Sequence, residues 1–166
     1  MGSIEDEFET EPSIYLAETL AAERVVLGVE ASSLEEAIGQ AFGRLADAGL
    51  PFPREHAIKA ILERERAMST YLGNGLAVPH ARIEGLDRPY LFFARSNAGI
   101  PVRGGHERVH LVFIVLTPAG SPCVQVRLIA RIAGLFQSEY VTDRLKTAES
   151  PEAVVEAIRS AESIAV

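Results

Sequence analysis

The stretch GNGLAVPHAR, residues 73–82, sets one histidine, His80, behind an apolar run that glycines introduce. A neutral imidazole is a competent nucleophile toward phosphorus near pH 7, because its pKa lies close by. One ring nitrogen attacks while the other, hydrogen-bonded, fixes the tautomer. Pro79 sets its own φ and has no amide donor, which favours a defined ring angle. Gly75 lets the backbone approach closely or take positive φ in front of the ring. A transferred anion also needs donors, and a planar guanidinium suits it best. Arg64 and Arg66, in the run ERERAMST (63–70), are available, and Thr70 adds a hydroxyl. On the residues alone a packed strand-end ring with backbone partners stays open beside the nucleophile.

The remaining candidates are weaker. His110 starts the run HLVFIVL and is the candidate second histidine if the fold turns it toward His80. A zinc site from His80, His110 and a carboxylate has no HxxxH-type spacing behind it. His56, early in a helix, and His106, in the turn RGGHE, read as surface residues. The GNG segment lacks the Lys-Ser/Thr of a phosphate-cradling loop and opens no helix.

The elements that must position these groups alternate. RVVLGV (24–29) reads as a first strand. Ser33 and Glu36 then form a capping-box pattern ahead of Leu34, Ala37, Ile38, Ala41, Phe42 and Leu45, a helical stripe expected to end near Gly49. LPFPREH turns into a second helix with Ala57, Ile58, Ile61 and Leu62 inward. LAVPH is read as one strand with His80 at its end, and YLFFAR from Tyr90 as another. VHLVFIVL from Val109 is nearly continuously apolar, as suits a strand covered on both faces. Ser121 and Pro122 open a helix by a cap and a first-position proline, with Gln125, Leu128, Ile129, Ile132 and Phe136 inward. Ser138 and the pair Ser150-Pro151 open two more. The pattern predicts a single α/β domain, a mixed sheet flanked by helices on both faces.

Composition narrows the function classes. The 166 residues suit one well-cored domain, and a net charge of −7 argues against broad nucleic-acid binding. Cys123 is the single cysteine, which excludes an internal disulfide and fits a reducing cytoplasm. No apolar run approaches the roughly 20 residues of a bilayer span, so this stretch is not expected to insert into a membrane. MGSIEDEFETEP is acidic and unlike a signal peptide; residues 1–14 read as a linker or lead, and 15–166 as the domain.

From about Tyr15 to Glu162 the chain resembles the enzyme IIA domain of the mannitol/fructose class. That class belongs to the bacterial phosphoenolpyruvate-dependent phosphotransferase system and includes nitrogen-regulatory IIA proteins. ERERAMSTYLGNGLAVPHARIEGLDRP is similar to the family's Arg-Glu run, Ser-Thr, glycine turn and Pro-His signature; LVFIVLTP and IARIAGLF fit the strand and helix that follow. The resemblance implies a phosphoryl acceptor at His80 served by the histidine phosphocarrier protein, with Arg64 stabilising the phosphate and no cofactor. Onward partners would be a IIB domain or a regulated target protein or transporter. It also implies a second histidine in the first turn of the helix after the long strand. Seven residues past Pro118 stands Gln125, which hydrogen-bonds but cannot titrate. Acceptance at His80 is thereby set apart from efficient onward transfer. The alternative expectation is a non-catalytic IIA-like regulatory domain of a membrane transporter, binding a partner or small anion. Either role is cytoplasmic, free or tethered at the inner membrane.

Overall fold

The run LVFIVL becomes the centre of a sheet. A computed structural model describes residues 14–45 and 50–164. In chain order it holds α1 (Leu16–Thr19), β1 (Val25–Val26), α2 (Leu34–Arg44), α3 (Arg54–Ala67), β2 (Tyr71–Gly73), β3 (Leu76–Ala77), β4 (His80–Ile83), β5 (Tyr90–Pro101), β6 (Arg108–Pro118), α4 (Pro122–Leu135), α5 (Glu139–Thr147) and α6 (Pro151–Ile164). The acidic lead lies outside the described residues, as does Gly49; the helix expected to run to about Gly49, α2, instead closes at Arg44 with Leu45 at its C-cap.

The sheet order is β1-β5-β6-β3-β2, and β4 pairs with the remaining length of β6. β5 and β6 form the antiparallel centre, while β1 joins β5 and both β3 and β4 join β6 in parallel. The sheet is therefore mixed. Alternation along the strands divides the core into two layers. Leu91, Phe93, Phe113 and Val115 face α1, α4, α5 and α6; Phe92, Ala94, Val112, Ile114 and Leu116 face α2 and α3. Edge-on aromatic packing of Phe113 against Phe93 and Phe136, at 5.0 and 5.4 Å between centroids, fastens α4 to the first face.

Local chemistry explains most helix starts. Ser33 accepts from the Glu36 amide at 3.1 Å, and Glu36 reaches back to the Ser32 amide and hydroxyl. Ser138 and Ser150 cap α5 and α6 in the same way. Ser121, expected to cap α4, makes no side-chain cap bond; Pro122 at the first turn opens that helix.

Two strands depart from expectation. RVVLGV yields only Val25–Val26, because residues 22–24 form a 3-10 turn and Gly28, at φ +73°, swings the chain away. LAVPH is not one strand. β3 ends at Ala77, and β4 begins at His80 after Pro79, whose missing amide cannot continue the ladder. The GNG segment is a hairpin turn between β2 and β3, with positive φ at Gly73, Asn74 and Gly75.

The N-terminal helix is tied down by a buried carboxylate. Glu162, 3% exposed, accepts from the amides of Leu16 and Ala17 at 2.8 Å each and from Arg131 Nε at 2.6 Å. Arg131 also lies 4.7 Å over the Tyr15 ring. One side chain of α6 thus joins α1 to α4.

Candidate functional site

His80 sits where the chain re-enters the sheet. The preceding residues are pinned from both sides: the Val78 amide donates to the Thr70 carbonyl at 3.0 Å, and the Val115 amide donates to the Pro79 carbonyl at 2.9 Å. The half-buried ring then places Nδ1 2.8 Å from the Val78 carbonyl. A carbonyl only accepts, so the ring proton belongs on Nδ1 and Nε2 keeps its lone pair.

Arg64 and Glu65, in the last turn of α3, supply the charges around the ring. Arg64 donates to the Met68 carbonyl at 3.0 Å, its only hydrogen-bond partner among the described residues. Most of its five donors are therefore unspent. Glu65 holds the Thr70 amide at 3.2 Å and its hydroxyl at 2.5 Å. The Thr70 proton is committed to Glu65, so Thr70 acts here as a brace for the 70–80 segment. Arg66 leans the other way, 3.9 Å from Glu35.

Burial pushes the His80 pKa below the ordinary 6.5. The Val78 carbonyl opposes that shift, the Arg64 charge adds to it, and Glu65 opposes it. The ring is neutral at pH 7, as a nucleophile requires. Arg64→Ala is expected to raise the His80 pKa and Glu65→Gln to lower it further, read by NMR titration of the ring. Movement in the reverse sense would show that these charges do not act on His80. The linkage has one sign. The unfolded chain takes up this proton first, so stability is complete above 6.5 and declines as pH falls through the interval down to the folded value.

The other candidates divide between the two ends of β6. His80 pairs with Val115 and Arg82 with Thr117, so His80 and Thr117 lie diagonally on the face covered by α4. The Thr117 hydroxyl is fully buried without a hydrogen-bond partner among the described residues, a feature that no local sequence signal marks. Gln125 is half-buried three residues before Leu128, on the stripe of α4 that packs on this same face. Cys123 is exposed. His110, by contrast, is five residues before Val115, roughly 16 Å along the strand. Its amide donates to the Gly75 carbonyl at 2.8 Å, and a Cβ on Gly75 would meet its ring at 3.5 Å. His110 and Gly75 therefore belong together and apart from His80. The sequence could not reveal this, because the parallel register of β4 on β6 is set by tertiary pairing. The zinc combination of His80 with His110 loses its geometry for the same reason. His56 and His106 are exposed.

A larger cleft of about 570 Å³, lined by Ser33, Glu35, Arg66, Met68, Tyr71 and Arg103 among others, opens beside α2 and does not include His80.

Residues 18–161 match the family model described as "Phosphoenolpyruvate-dependent sugar phosphotransferase system, EIIA 2". The chain belongs to this family. As an EIIA domain it is 29% identical, over 144 residues, to the PTS system fructose-specific EIIABC component of Bacillus subtilis. That match takes in 86% of this chain but only 23% of the longer relative. The fold is also that of the crystal structure of nitrogen regulatory protein IIA-Ntr from Neisseria meningitidis, with a TM-score of 0.75 and 26% identity over 86% of this chain and 97% of that one. A solution structure of the Escherichia coli complex of enzyme IIA mannitol with phosphorylated enzyme IIB mannitol matches with a TM-score of 0.66. Its identity to this EIIA domain is 29%, covering 85% of this chain and 97% of the other. Among the described residues of the domain no helix is long and apolar enough to cross a membrane.

Proposed function

We propose that this EIIA domain accepts a phosphoryl group on Nε2 of His80 from a histidine phosphocarrier protein. The observation that carries the reading is the ring itself: Nδ1–H lies on the Val78 carbonyl and the charge of Arg64 acts on the same imidazole. The Nε2 lone pair attacks phosphorus as the bond to the donor nitrogen breaks, and the donor keeps that electron pair. The proton stays on Nδ1, hydrogen-bonded to the Val78 carbonyl, so the product ring is an imidazolium with phosphorus on Nε2 and hydrogen on Nδ1. The arriving group carries roughly two negative charges, which the free donors of Arg64 stabilise. The opposing charge of Glu65 is partly spent on Thr70. Incubation with phosphoenolpyruvate, enzyme I and the phosphocarrier is expected to add the mass of one phosphoryl group, in an acid-labile form. Absence of any mass gain would refute the reading.

The receiving partner is a IIB domain or a regulated protein, the two fates that the mannitol and nitrogen-regulatory relatives represent. Gln125 favours the regulatory fate, in a free cytoplasmic domain or one tethered to an inner-membrane transporter. A glutamine at this position of the α4 stripe offers no titrating proton for the onward step. Gln125→His is accordingly expected to speed transfer from phosphorylated protein to an added IIB domain by at least about ten-fold. An unchanged onward rate would remove Gln125 from the account.

A further inference from the structure

The basic residues at the far end of β6 meet in a cavity that the His80 chemistry does not use. It measures about 240 Å³ and is lined by Arg95, Ser96, Asn97, His110 and Lys146. Arg95 is 8% exposed, yet no carboxylate meets its guanidinium among the described residues. One of its terminal nitrogens donates to the Leu145 and Ala148 carbonyls, which closes the C-terminal end of α5. Helix capping accounts for that nitrogen and leaves Nε buried without a partner among the described residues. A buried cationic group with unspent donors is costly unless something anionic completes it.

The neighbours supply the rest of a site. His110 holds Nδ1 3.0 Å from the Ser96 carbonyl, so its proton sits on Nδ1 and Nε2 remains an acceptor with no partner among the described residues. Lys146, near the end of α5, is exposed at the rim, and the exposed Asn97 adds an amide. No lining residue is acidic, in a chain whose net charge is −7. Guanidinium and ammonium donors together with one neutral imidazole acceptor match a tetrahedral oxyanion that still carries a proton. Its free oxygens accept from Arg95 and Lys146, and its hydroxyl donates to His110 Nε2.

We infer that this cavity is a second anion site, separate from His80, that takes hydrogen phosphate or an equally small proton-bearing oxyanion. The test titrates the full chain with inorganic phosphate at constant ionic strength, at pH about 8, where phosphate keeps one hydroxyl. The His110 ring resonances are expected to move saturably while those of His80 stay still. Sulfate, which has no proton to offer, is expected to bind at least about ten-fold more weakly. Lys146→Ala, which leaves the Arg95 cap of α5 in place, is expected to weaken phosphate by about the same factor. No saturable response of His110 up to tens of millimolar, about the weakest affinity at which such a site has meaning, would overturn the assignment. So would a response confined to His80, or equal affinity for sulfate.

Discussion

Replacing His80 by glutamine is expected to abolish phosphoryl acceptance while leaving the domain folded. The substitution removes the one nitrogen lone pair offered at this position and supplies no other nucleophile. His80 is half-buried at the first position of β4, so its loss opens no cavity in either core layer. A stability change within about 1 kcal/mol is expected from its partial burial. Arg64→Ala should behave differently. It keeps the nucleophile and removes charge stabilisation of the transferred group, so acceptance slows by roughly 10²-fold and remains measurable. Mass spectrometry over a time course separates the two outcomes. Equal loss in both variants would mean that Arg64 is needed for docking of the donor, and residual acceptance in His80→Gln would move the acceptor elsewhere.

The largest effect on stability is expected at Glu162. Glu162→Ala removes the shared acceptor of two backbone amides that the fold has withdrawn from bulk water and of one guanidinium. Arg131 retains partial solvent contact, its side chain 31% exposed, which lowers the penalty below that of a fully buried charge. Breaking this cluster is expected to cost about 2–4 kcal/mol. For a chain of this size that is a fall of roughly 5–15 °C in thermal midpoint. Calorimetry of the variant decides it. A change below about 0.5 kcal/mol, the size of an ordinary surface substitution, would mean that water replaces the carboxylate and that α1 is held by its apolar face.

These two residues differ in how far the sequence disclosed them. His80 stands in a local constellation of proline, histidine, glycine turn and upstream arginine, and local constellations are readable. Glu162 looks like any charged residue on an amphipathic helix. Its importance depends on Leu16 and Ala17, almost the whole chain away. The same divide runs through the fold. The apolar run of β6, the capping serines of α2, α5 and α6 and the stripe of α4 are near-neighbour patterns, and each element lies where the pattern puts it. The break of LAVPH into two strands depends on how β6 continues past β3, and the placement of His110 depends on the register of β4. Both are consequences of long-range pairing, on which the order of residues near His80 is silent. Glu65 and Thr117 were hidden for a related reason. A carboxylate in a charged helix end and a threonine at a strand end gain meaning only from what lies across from them.

The chemistry proposed for His80 turns on one nitrogen. Phosphorylated protein, prepared through the phosphocarrier with ring-labelled histidine, can be read by phosphorus–nitrogen coupling in NMR at neutral to alkaline pH. The Nδ1 contact to the Val78 carbonyl predicts a single phosphohistidine, at His80, with phosphorus on Nε2. Phosphorus on Nδ1, or on the ring of any other histidine, would contradict the account.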